Sequence, residues 1–403
     1  MIGPKKLKAT SYEKLILGGG CYCQLALKVK PTKVNEIVHE IAKKAVGCRT
    51  LFDGQNYIYT PLECPVFRIP NNFPSLEEAQ IYASTYYTVP LSQRLASICY
   101  NDDTVILHNI HSSCDGGYLK IILNYLIGGD VPPGPEPYIH ESASVTFNEV
   151  IKSVNGHRDY NTTKVIGTNP SIPTDPKVTA YYYPVNIDFS DMSTHSSGSL
   201  RGLTDLLWSS MILTVSASNG KFYDAKVENA VDTRRVISNP GWKHANENTV
   251  ICVYANDLTE DSSISEMCDS LRKDFNKKIT NKEVIKSIRD LMTGYSRSVD
   301  YATCGISNIG PLKTGGDIVD VTVGTSFVRR LPPPGGVYFH TISIDDKMFK
   351  GRMYSSPFTF SRNETRKLAD AMRYCLTKVK KDMKIGDVVK DLQQMYGLGK
   401  YRN

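Results

Sequence analysis

The stretch Val105-Ile106-Leu107-His108-Asn109-Ile110-His111-Ser112-Ser113-Cys114-Asp115-Gly116-Gly117-Tyr118 constrains this chain more than any other. Its apolar start reads as a strand, and Asn101-Asp102-Asp103 joins that strand to Leu95–Tyr100 as a hairpin. The strand carries His111 to its end, and Asp115 follows four residues later. Gly116 and Gly117 then let the backbone turn into the helix-like run Tyr118–Leu126. Histidine ordinarily titrates near neutrality, so an imidazole held at a strand end and facing a cleft can accept and return a proton. Asp115 has two possible directions: it orients the His111 ring, or it points away and pairs with a cation that fixes the loop.

Two other chemistries compete at the same residues. Cys114 and His111 could form a thiol–imidazole nucleophile, although Cys114 reads better as a small residue in the turn. His108, His111, Cys114 and Asp115 could be read as metal ligands, but residues three apart on a strand face opposite ways, and no metal is expected.

At His111, Asp115 and Gly116 the chain resembles the CoA-dependent acyltransferase superfamily typified by chloramphenicol acetyltransferase, whose signature is H-x-x-x-D-G. That group includes alcohol acetyltransferases, plant BAHD acyltransferases and the condensation domains of peptide synthetases. Val231-Asp232-Thr233-Arg234 resembles its V-D-x-R segment, and Ile306-Ser307-Asn308-Ile309-Gly310-Pro311 its S-N-x-G segment, in the same order. Ile110 stands where condensation domains carry a first histidine, which weighs against amide-forming condensation more than against simple acyl transfer. No D-F-G-W-G motif occurs, unlike in the BAHD enzymes.

The resemblance implies an α/β (α+β) fold of two chloramphenicol acetyltransferase-like halves, each a mixed sheet with covering helices, with a tunnel between them. It implies His111 as general base for direct transfer of an acyl group, acetyl in the simplest case, from acyl-CoA to a hydroxyl of a small acceptor. Asp115 is then structural and pairs with Arg234, with Arg235 as the competing partner. Gly116, Gly117 and Asn308 border substrate or tunnel. N-acylation, condensation-type chemistry and a non-catalytic binding protein retaining the fold are the alternatives.

Composition limits the rest. The 403 residues suffice for two domain-sized units, and 41% hydrophobic with 22% charged residues is an ordinary soluble balance. A net charge of +7 suits a phosphate-bearing co-substrate without demanding one. The ten cysteines are scattered, mostly in apolar runs, as expected of free thiols in a reducing compartment. No apolar segment follows the basic N-terminus and none is long enough to span a bilayer, so a cytoplasmic, monomeric protein is expected. Neither a basic aromatic stripe nor a nucleic-acid-binding module occurs.

Along the chain, Ile16–Val29 reads as a strand interrupted by Gly18-Gly19-Gly20, which lacks the Lys-Ser/Thr ending of a phosphate loop. Helices are expected over Val34–Val46 and Pro74–Tyr87, and near Ser142–Val150. The Gly/Pro-rich residues 128–200 read as the crossover between an N-terminal half, residues 1–185, and a C-terminal half, residues 186–403. In the second half, Leu203–Ser216 is apolar nearly all round and should be a buried helix. Amphipathic helices follow at Ser262–Ile279 and Asn281–Tyr295, then strands at Ile318–Phe327, Val337–Ile344 and Met348–Tyr354. Ser361-x-x-Glu364 starts a last helix to about Lys381, and the chain past Lys384 is expected to be loosely attached.

Overall fold

A computed structural model describes residues 6–132, 141, 146–160, 162–166, 172–193, 202–237, 240–295, 302–330 and 335–399. The strands are β1 (Lys6–Lys8), β2 (Cys21–Val29), β3 (Thr50–Phe52), β4 (Asn56–Tyr59), β5 (Val66–Arg68), β6 (Ala96–Tyr100) and β7 (Thr104–Ile110) in the first part. They continue as β8 (Tyr181–Asp188), β9 (Ala225–Asp232), β10 (Asn248–Ala255), β11 (Thr303–Leu312), β12 (Ile318–Phe327), β13 (Gly336–Ile344) and β14 (Met348–Ser355).

β7 is buried at every position, so it needs cover on both faces. It lies inside a five-stranded sheet of order β12-β2-β7-β6-β5, and β6 and β7 form the expected hairpin. The second large sheet has the order β10-β9-β11-β13-β14-β8, and a small one runs β1-β4-β3. The fold is thus α/β with mixed sheets. β12 comes from late in the chain yet pairs antiparallel with β2, Gln24 opposite Gly324. β8 forms the far edge of the six-stranded sheet, against β14.

Helices α1 (Ser11–Gly19), α2 (Val34–Lys44), α3 (Leu76–Tyr86), α4 (Gly116–Leu126) and the short α5 (Asn148–Ile151) belong to the first part. α6 (Leu203–Asn219), α7 (Ile264–Thr280), α8 (Glu283–Thr293), α9 (Arg362–Lys378) and α10 (Ile385–Tyr396) follow. α6 is buried along nearly its whole length, with Trp208, Met211 and Ile212 at the centre of one core. A second core joins Leu25, Leu27 and Leu107 to α2 and α4, and Ile342 and Ile344 reach it from the other sheet.

Two expectations need correction. Residues 16–19 are helical: Thr10 and Glu13 form a capping box that starts α1, and the strand begins only at Cys21. The end of the chain is firmly docked, because α10 buries Ile385, Val388, Val389 and Leu392 and packs on α6. The helix expected near 142–150 is described only over Asn148–Ile151, since residues 142–145 lie outside the described set. No helix among the described residues is long and apolar enough to cross a membrane.

Candidate active site between the sheets

His111 leaves β7 and opens a one-turn 3-10 helix, His111–Ser113, which sets the ring at the strand end. Its Nδ1 is buried with no hydrogen-bond partner among the described residues, and the residue lines a cavity. That cavity, about 290 Å³, lies where the two large sheets meet: Thr325 comes from β12, Glu228 from β9, Ser307 from β11, and Tyr338 and His340 from β13.

Asp115 turns away from the imidazole. Its carboxylate accepts Arg234 Nη2 at 2.9 Å on Oδ1 and Arg234 Nη1 at 3.1 Å on Oδ2, a two-point pair. Oδ1 also caps α4 by accepting the Tyr118 amide at 2.8 Å, and Oδ2 accepts the Glu247 amide at 2.6 Å. Arg234 further donates to Asp232 Oδ1 at 3.0 Å and to the His244 carbonyl from Nε at 3.0 Å and Nη2 at 2.6 Å. Burial opposes its charge, but Asp115 and Asp232 outweigh that and hold the guanidinium above its ordinary pKa. Arg235 is exposed and borders a different cavity.

That larger cavity, about 670 Å³, shares Gly116, Ala230, Asn248, Ser307 and Ile309 with the histidine cavity. Gly117 and Asn308 line it. A Cβ on Gly117 would overlap Arg234 Nη1 and Asp232, so glycine permits the guanidinium to close on the start of α4. Asn308 does not border the histidine cavity. Its Oδ1 accepts the Gly310 amide at 3.0 Å and the Thr341 hydroxyl at 3.2 Å, at the bulge in β11.

The other candidate groups separate. His108 stacks on Tyr22 at 4.1 Å, and burial pushes its pKa down to about 3. Cys114 is buried with its thiol near the Asp115 carbonyl, 3.8 Å away. No cluster of three metal-ligating side chains occurs among the described residues.

Three cavity groups escaped the sequence reading. His340 holds Thr325 Oγ1 at 2.8 Å through Nδ1, and burial, then the His111 and Arg352 charges, push its pKa down to about 3. Glu228, near Tyr338, is raised by burial against the opposing effect of Arg158 and of the Tyr338 hydrogen bond. Tyr338 also shares a hydrogen bond of 2.7 Å with the Thr303 hydroxyl. All three sit on strands whose facing partner is fixed only by tertiary assembly, so no local pattern marks them.

No protein-family model and no curated protein matches the chain. Solved structures do. Polyketide synthase associated protein 5 from Mycobacterium tuberculosis superposes with a TM-score of 0.63 at 12% identity, over 92% of this chain and 96% of that one. The starter condensation domain of rhizomide synthetase, solved in complex with C8-CoA, gives 0.62 at 9% identity, over 95% and 97%. The X-domain from teicoplanin biosynthesis gives 0.61 at 10% identity, over 96% and 98%. At these identities the likeness concerns the fold, and along nearly its whole length the chain has the fold shared by condensation domains and chloramphenicol acetyltransferase-like acyltransferases.

Proposed function

We propose that the chain is an acyl-CoA-dependent acyltransferase that moves an acyl group, acetyl in the simplest case, to a hydroxyl of a small acceptor. The observation that carries this reading is the His111 imidazole in a cavity walled by both sheets, with a larger cavity opening beside it. A base set between the sheets meets its substrates partly shielded from bulk water, which slows hydrolysis of a thioester.

His111 Nε2 takes the proton of the acceptor hydroxyl as that oxygen attacks the thioester carbonyl. The tetrahedral intermediate collapses, the carbon–sulfur bond breaks, and the imidazolium returns the proton to the leaving CoA thiolate. Ser307, in the wall common to both cavities, is the hydroxyl available to the developing oxyanion. His340 stays neutral near His111, so the proton in transit meets no second imidazolium. Asp115 and Arg234 act at a distance, by fixing the turn that carries His111. The two halves are proposed to divide just before β8, at residues 1–180 and 181–403 rather than at 185, because the whole of Tyr181–Asp188 pairs with β14 in the six-stranded sheet, with β12 returning to the first half.

The test is thiol release from acetyl-CoA in the presence of a panel of alcohols and amines. His111→Ala should lose about 10²–10⁴-fold in kcat, the range usual for a positioned general base. Full rate in that variant would remove the imidazole from the reaction, and transfer to amines alone would replace the hydroxyl acceptor.

A further inference from the structure

Arg352 is a buried cation that the transfer chemistry above does not use. It lies on β14 directly opposite His340 on β13, so both side chains leave the same face of the sheet. The residue is 4% exposed. One end of its guanidinium, Nη2, donates to Gln80 Oε1 on α3, while Nη1 is buried with no hydrogen-bond partner among the described residues. Room for Nη1 exists because residue 324 of β12 is glycine: a Cβ there would overlap it. A buried guanidinium short of an acceptor is costly unless something supplies one. Burial lowers its pKa, and the through-space effect of Glu77 and Tyr182 only partly offsets this.

Arg352 also lines a third cavity, about 610 Å³, which has Phe327 as a lining residue in common with the histidine cavity. This cavity is separate from the one bordered by Arg234 and Asn308, with no lining residue in common. Tyr181, Tyr182, Tyr183 and Tyr86 give it aromatic walls. Glu77, Glu78 and Asp175 stand among its lining residues beside Lys177, Arg352 and Arg362. Such a mixed lining disfavours a dianionic phosphate and suits a single negative charge presented to one planar cation.

We propose that this cavity receives the acceptor and that Arg352 binds a carboxylate on it, making the preferred acceptor a hydroxy acid with an apolar or aromatic body. The assignment rests on the acyl-transfer reading only for the word acceptor; a carboxylate site at Arg352 stands by itself.

The experiment uses the full chain and needs no turnover. Thermal unfolding is followed with 3-phenyllactate and a panel of smaller hydroxy acids, each against its primary amide. Acids should raise Tm and amides should not, Arg352→Gln should abolish the acid-specific shift, and Arg352→Lys should restore part of it. Where thiol release is measurable, KM for the amide should exceed KM for the acid by about tenfold or more, and the ratio should approach one in Arg352→Gln. Equal shifts from acid and amide, or no shift from any acid, overturn the carboxylate site whatever the thiol assay reads. The wild-type comparison decides this even if Arg352→Gln does not fold. Acid-specific, Arg352-dependent shifts with no thiol release from any acceptor would leave the site in place and overturn acyl transfer instead.

Discussion

Replacing Asp115 by alanine should both loosen the protein and slow it. The side chain accepts four hydrogen bonds: two from Arg234, one from the Tyr118 amide and one from the Glu247 amide. Removing one partner of a buried ion pair typically costs about 3–5 kcal/mol, because the other charge is stranded. Arg234 is only 8% exposed, but it keeps Asp232 and the His244 carbonyl, which favours the lower end of that range. Loss of the α4 cap adds about 1 kcal/mol. The sum, about 4 kcal/mol, is a large part of the 5–15 kcal/mol expected for a native protein.

Urea unfolding followed by circular dichroism reads that cost directly. Asp115→Asn should cost less, about 2 kcal/mol, since its carbonyl can keep the cap while its amide nitrogen is turned toward other donors. In a cycle with Arg234→Met, the double variant should be less unstable than the sum of the singles, by about 2 kcal/mol, because no buried charge is then left alone. Activity should fall as well. The Asp115 amide donates to the Ala245 carbonyl, and Asn246 Nδ2 donates to the Ser112 carbonyl, so residues 245–247 clasp the turn that starts at His111. A displacement of about 1 Å at such a group can cost about 10²-fold in rate. Destabilisation below about 1 kcal/mol for Asp115→Ala, or a coupling near zero with Arg234, would refute the view that this pair holds the turn.

Two other outcomes are expected. Burial raises Glu247 from 4.5 to about 8, so the folded state holds its proton where the unfolded chain has released it. Its contribution is fully present below pH 4.5 and is lost as pH rises toward 8, whereas buried neutral His108 removes stability as pH falls below about 6.5. Urea midpoints should therefore decline between about pH 6.5, above which His108 no longer opposes the trend, and pH 8, and Glu247→Gln should flatten that limb; an unchanged slope would contradict it. Truncation after Lys384 removes four buried side chains of α10, worth about 1.5–3 kcal/mol each, and should leave little folded protein in a solubility and circular dichroism assay. A truncated chain as stable as the full one would show that α10 contributes little.

What could be read beforehand depended on how local each signal was. His111, Asp115 and the glycines lie within seven residues, and the turn from strand to helix is encoded there. Arg234 lies 119 residues from Asp115 and was legible only through resemblance to a known motif. His340, Glu228 and Arg352 had no such marker: on strands every second residue shares a face, and the sequence does not say which face meets the other sheet. α1 is encoded by Thr10-x-x-Glu13, a helix start that outweighs the low helix propensity of Gly18 and Gly19 at its end. The spacing of Ile385, Val388, Val389 and Leu392 likewise marks an apolar helical face, hidden behind the lysine-rich residues before it.

β12 has a consequence for biosynthesis. Gln24 pairs with His108 of β7 on one side, but on the other its neighbour is Gly324, three hundred residues later. During translation the outer edge of β2 stays uncovered until that distant segment emerges, and an unsatisfied strand border invites wrong partners. The protein therefore closes its five-stranded sheet late, and a ribosome that stalls midway would release a nascent chain primed to clump.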